Sequence, residues 1–170
     1  THHTDRQPAR QILKRPEVAA LFAACFLMAA AHGPYYTFYS LYLVEHDYSK
    51  GAIGWLWALG VICEIAVFIG MPRIMQRFSL PQILGASFLL AVIRFLLIGW
   101  LVDSVAAILF AQMLHAATFG SYHAAAVAAI HHFFRGRHQA KGQALYTSLT
   151  FGAGGTFGAL VSGYAWDFLG

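Results

Sequence analysis

Five stretches of this chain, residues 16–44, 51–71, 82–102, 105–133 and 141–169, each run for about 20 or more residues with little charge, the length a membrane-crossing helix needs. At a rise of about 1.5 Å per residue, each can span a hydrocarbon core of about 30 Å. Backbone polar groups in lipid must be satisfied within the protein, which leaves helices or closed barrels. Barrel strands are segments of about ten residues in alternating pattern, and none of these runs alternates. An all-α integral membrane fold with five transmembrane helices follows. The composition agrees: 59% of residues are hydrophobic and 11% charged, where a soluble domain carries about 25% charged.

The connections set the expected orientation. Arg6, Arg10, Lys14 and Arg15 precede the first helix, Arg73 and Arg77 follow the second, and Arg135, Arg137 and Lys141 follow the fourth. Among the basic residues only Lys50 and the intramembrane Arg94 fall elsewhere, so this side is cytoplasmic by the excess of Lys and Arg in cytoplasmic loops. Residues 1–15 read as a cytoplasmic basic linker and 16–170 as the transmembrane domain. The outer connections carry Glu45, Asp47 and Asp103, and Trp55, Trp57, Trp100 and Trp166 fall near outer helix ends, as an interfacial aromatic belt would. The net charge of +4 is thus a topology signal rather than a mark of nucleic-acid binding. No signal peptide is evident. The chain lacks an initiating Met and stops at Gly170 inside an apolar pattern, so a fragment is expected.

Arg94 is the one charged residue of the third segment and lies well inside it. A charge at that depth normally faces a bundle interior or an aqueous cavity and has a partner. Glu64, in the second segment, is another intramembrane ionisable group. Counted along their helices, the two differ in level by roughly 8 Å, so a direct pair needs a long reach or a tilt, and a water-lined cavity joining them is the expectation. Gln112, His115, Phe119 and Tyr122 share one face of the fourth helix, flanked by Thr118 and His123. His32, Tyr35, Tyr36 and Tyr39 share a face of the first, where Pro34 favours a kink. Either stripe can line a cavity or simply pack against a neighbour. Small residues at four-residue spacing, Gly154 and Gly158 and then Gly155, Ala159 and Gly163, read as a close helix–helix contact. His131, His132 and His138 have no thiol or carboxylate beside them, and Cys25 and Cys63 lie in apolar segments, so no metal site, disulfide or cofactor is expected.

These features resemble the major facilitator superfamily, helices seven to eleven of its twelve. The basic lead-in, the five long segments and the turn Pro72-Arg73-Ile74-Met75-Gln76-Arg77-Phe78 carry the likeness, with Gln76 and Ser79 standing where the family's loop has Asp and Gly. His32-Gly33-Pro34-Tyr35-Tyr36, Gly54-Trp55-Leu56-Trp57-Ala58-Leu59-Gly60 and Arg137-His138-Gln139-Ala140-Lys141-Gly142-Gln143-Ala144 are similar to the phenylpropionate permease branch, which is related to lactose permease. The resemblance implies secondary active transport of a small organic solute by alternating access, with a missing N-terminal half, in a bacterial cytoplasmic membrane, the N-terminus inside. Arg94 sits where lactose permease has its essential arginine of helix nine, and His115 where it has the histidine of helix ten. The carboxylate three residues beyond that histidine is Thr118 here, and the lysine three before it is Gln112.

A small aromatic carboxylate is the expected substrate, with Arg94 supplying a bidentate fork, His115 and Gln112 polar contacts, and Tyr35, Tyr36 and Phe119 apolar walls. Glu64 and His115 are the candidates for proton coupling. A sugar or nucleoside symporter of the same fold is the alternative. From other classes come a metal-dependent membrane enzyme, which metal analysis would expose, and a non-transporting sensor, which would show no flux. The expectation is a carrier and not an enzyme.

Overall fold

The computed structural model describes residues 9–169 and is helical throughout, with no strand among the described residues. Residues 1–8 of the expected linker, with Arg6, and Gly170 lie outside them. The helices are α1 (Ala9–Leu13), α2 (Pro16–Glu45), α3 (Lys50–Arg77), α4 (Leu80–Trp100), α5 (Val105–His115), α6 (Tyr122–Phe133), α7 (Gln139–Thr147) and α8 (Gly155–Leu169). A π-helical turn, Ala116–Ser121, joins α5 to α6, and a second, Ser148–Gly154, joins α7 to α8. Among the described residues, four helices are long and apolar enough to cross a membrane: Pro16–Glu45, Lys50–Arg77, Leu80–Trp100 and the continuous Val105–Phe133. The fifth stretch is helical from Gln139 on, with glycines, serines and threonines diluting its apolar character.

Serines set the starts of α3, α4 and α5. Ser49 and Ser104 accept hydrogen bonds from Ala52 N and Ala107 N, and Ser79 N donates to Gln82 Oε1. Each such bond satisfies a backbone or cap group that a helix end would otherwise leave open. After α2 the chain reverses through Asp47 in the left-handed region, φ 63°. Tyr48 N donates to Leu43 O and Asp47 N to Val44 O, closing the helix end in a Schellman arrangement.

One boundary departs from expectation. The second helix was expected to end at Met71, ahead of Pro72, but α3 continues through Pro72 to Arg77. Proline removes one ladder bond, yet Met71 is buried with Ile83 and Ala125, and Ile74 packs on the same cluster. Those contacts hold the helix past the break, and Phe78 N donates to Ile74 O at its end. Most of the family-like turn is therefore helix.

The chain forms two compact units, one comprising the chain up to Tyr39 together with Val127 onward, the other Ser40–Ala126. In the first, α2 and α8 run parallel and very close. Phe26 meets Phe157, and Phe38 stacks on Trp166 with ring centroids 4.9 Å apart. Between these pairs, a Cβ on Gly33 would come within 2.6 Å of the Gly158 backbone, one on Gly154 within 2.7 Å of Phe26 O, and one on Gly158 would collide with Ala30 O. The small-residue spacing of the last helix is thus a packing seam. Pro34 explains its position: lacking an N–H, it leaves the Ala30 carbonyl without its usual partner four residues on, and Gly158 lies against that carbonyl.

In the second unit α3 and the α5–α6 helix run parallel, with α4 antiparallel to both. Leu56, Gly60, Glu64, Val67 and Met71 form the α3 stripe that faces Gln112, His115, Gly120 and Ala125 in turn. From α4, Ser87 bonds Ser121, Phe88 meets Tyr122 edge-on, and Arg94 reaches Ala111. The end of α2 joins this unit through Tyr42, which donates to Ile98 O, while Ser40 Oγ accepts from Trp57 Nε1. Tyr48 donates to Val102 O at 2.7 Å, fastening the α2–α3 connection to the α4–α5 connection at one end. Partial burial, and then the Asp103 carboxylate, raise the Tyr48 hydroxyl above its ordinary pKa, so it keeps this donated proton at any physiological pH. Trp55 and Trp100 are 76% and 78% exposed near this end.

Candidate functional site

The α4 helix places its polar residues on its buried stripe. Ile83, Ser87, Ala91, Arg94 and Ile98 recur at three- and four-residue intervals and are all buried, while Leu89, Val92 and Leu96 are exposed. Arg94 is 0% exposed, the largest fully buried side chain among the described residues. Its Nε donates to Ala111 O at 3.1 Å, and its guanidinium carbon lies 5.3 Å from the centroid of the Phe95 ring.

The next residue along α5, Gln112, is wholly buried and donates from Nε2 to Leu56 O at 2.9 Å, tying α5 to α3. His115 follows at 5% exposure, its Nε2 4.0 Å from Glu64 Oε2. At this separation the two interact through charge rather than a short hydrogen bond. A carboxylate and an imidazole so placed form a unit whose net charge changes with a single proton. Glu64 thus meets His115, while Arg94 is bonded one turn away on the same helix.

Below His115 the helix widens. Thr118 donates to His115 O at 3.3 Å and Ser121 to Ala117 O, so hydroxyls occupy carbonyls within the π-turn. Ser121 is itself held by Ser87 at 3.0 Å. Phe119 stacks on His115, with centroids 5.5 Å apart and planes at 10°, and on His123, at 6.0 Å and 4°. Three nearly parallel rings therefore descend one face of the helix.

Arg94, Gln112, His115, Phe119 and Glu64 all belong to the second unit. Tyr35 and Tyr36 belong to the first, where Tyr35 is buried between Tyr36 and Tyr39, with centroids 5.2 and 4.7 Å away, and Tyr36 is 49% exposed. His32, buried beside them, has Nδ1 2.9 Å from Met28 O. The Ser87–Ser121 bridge and two glycines facing the site, Gly60 and Gly120, escaped the sequence reading. Ser87 and Arg94 do stand seven residues apart, two turns along one helix face, and that spacing was the available signal.

The sequence model of the MFS_1 like family matches residues 2–170. Over 150 residues the chain is 30% identical to the "Probable 3-phenylpropionic acid transporter" of Escherichia coli (strain K12), an alignment covering 88% of this chain and 39% of that protein. It therefore spans less than half the length of this relative. No solved structure matches the chain. With a family match over nearly the whole sequence and long apolar helices to go with it, the chain is an integral membrane protein and belongs to the MFS_1 like family of the major facilitator superfamily.

Proposed function

We propose that this chain forms helices seven to eleven of a twelve-helix secondary transporter that moves a small aromatic carboxylate across the bacterial cytoplasmic membrane, coupled to protons. The observation that carries the reading is Arg94. A permanent cation wholly buried in an apolar helix costs about 2.5–3.5 kcal/mol or more, a cost that packing alone does not require. Its guanidinium matches a carboxylate in charge and can bind it through two parallel hydrogen bonds. Gln112 and His115 then add polar contacts, and Phe119 adds ring surface. Glu64 with His115 forms the proton-carrying pair. The printed name of the relative supports an aryl-propionate, and the share of that relative matched supports a partner half that completes the carrier. The substrate then binds near the bilayer midplane between the two halves.

The test is uptake of labelled 3-phenylpropionate, a sugar and a nucleoside by cells producing the full-length protein that carries this segment, with and without a protonophore. Aryl-propionate uptake that the protonophore abolishes is expected. Arg94→Gln should lower it about 10–100-fold, the equivalent of one lost charge-assisted bond of about 1.5–3 kcal/mol. Unchanged uptake in Arg94→Gln, or flux of the sugar or nucleoside alone, overturns the assignment.

A further inference from the structure

Two glycines stand opposite the side chains of the proposed coupling pair, and they do so reciprocally. On α3, a Cβ at Gly60 would lie 3.3 Å from Gln112 Nε2 and 3.5 Å from His115 Cδ2. On the facing π-turn, a Cβ at Gly120 would lie 3.1 Å from Glu64 Cγ and 3.7 Å from Val67 Cγ1. Each helix thus removes a side chain where the other presents one. Gly54, Gly70, Gly85 and Gly99 in the same unit would meet nothing within 4 Å, so the requirement for a bare Cα falls on these two positions.

Gly120 lies within the π-turn, where i to i+5 bonds take in one extra residue, and it is the residue of that turn that faces Glu64. Phe119 is left stacked between His115 and His123.

We propose that Gly120 is a positioning residue that holds Glu64 at its 4.0 Å approach to His115, and that it affects transport through that side chain. This rests on the reading of Glu64 and His115 as the coupling pair. A methyl at Gly120 displaces the Glu64 side chain by a few tenths of an ångström and so changes the separation of the pair, whereas a methyl at Gly60 presses on Gln112 Nε2 and leaves His115 Cδ2 in ordinary contact.

Two measurements on the purified full-length protein test it. The first is the ratio of proton to labelled 3-phenylpropionate flux in proteoliposomes. Gly120→Ala should lower this ratio about twofold or more, whereas Gly54→Ala should not, because loss of properly folded carrier lowers both fluxes together and leaves their ratio fixed. A ratio unchanged in Gly120→Ala overturns the proposal. The second is a thermal-stability cycle: Gly120→Ala should lower the unfolding temperature in the wild type but not in Glu64→Ala, where the opposing Cγ is gone. An equal loss in both backgrounds means that Gly120 serves the backbone of the π-turn, and the proposal falls. Substrate flux without any proton flux in the wild type sinks the coupling reading and the functional half of this inference with it, while the stability cycle still decides whether Gly120 makes room for Glu64.

Discussion

Arg94 is wholly buried, and the carbonyl its Nε reaches, Ala111 O, belongs to a helix with its own backbone ladder. On the proposed function, its charge is a cost to the fold that substrate binding offsets. Arg94→Leu is expected to unfold at the same temperature as the wild type or higher, while losing aryl-propionate uptake. Arg94→Lys keeps the charge but loses the planar fork, and its KM should rise about tenfold or more. A fall of several degrees in Arg94→Leu, measured by thermal aggregation in detergent, would make the arginine structural. The sequence exposed Arg94 and Glu64 because a charge inside an apolar run needs no partner to be noticed. It did not show that Glu64 meets His115, since residues far apart in sequence find each other only through the packing of α3 against α5. Gly60 and Gly120 were invisible for the same reason: a glycine's role here depends on what lies across from it.

Among the helices, the α2–α8 seam offers the clearest contrast within one element. Gly158 and Gly163 both lie in α8, but a Cβ at Gly158 collides with Ala30 O while one at Gly163 meets nothing within 4 Å. Gly158→Ala should destabilise the protein by about 1–3 kcal/mol or more, the usual cost of overpacking. Gly163→Ala should be neutral or stabilising by about 0.5–1 kcal/mol, from the lower backbone entropy of the unfolded chain. Chemical unfolding of the two variants side by side checks the pair, and equal effects would remove Gly158 from the contact. Here the small-residue spacing revealed the seam, and the long apolar runs gave the helices to within a few residues. The end of α3 lies beyond the expected stop because Pro72 argues locally for a break and the contacts of Met71 and Ile74 override it. Neither π-turn was anticipated, because an i to i+5 register leaves no mark on composition or apolar spacing.

For the whole molecule, the distribution of Lys and Arg and the shared end of two connections make one claim about orientation. Tyr48 bonded to Val102 puts Lys50 and Asp103 at the same end of their unit, beside the exposed Trp55 and Trp100. Continuous helices then carry the chain from that end to Arg77, and from Val105 to Phe133 ahead of Arg137. If basic connections are retained on the cytoplasmic side, Lys50 and Asp103 face outward and Arg77 and Arg137 inward. Single cysteines at these four positions, in full-length protein with Cys25 and Cys63 replaced by alanine and serine, should divide accordingly. Lys50→Cys and Asp103→Cys should react with a membrane-impermeant maleimide in intact cells, and Arg77→Cys and Arg137→Cys only after permeabilisation. The reverse pattern would invert the proposed orientation and leave the spans intact. Reaction of Lys50→Cys without Asp103→Cys would instead break the even number of crossings between them, and with it the assignment of α3 and α4 as an antiparallel pair of membrane helices.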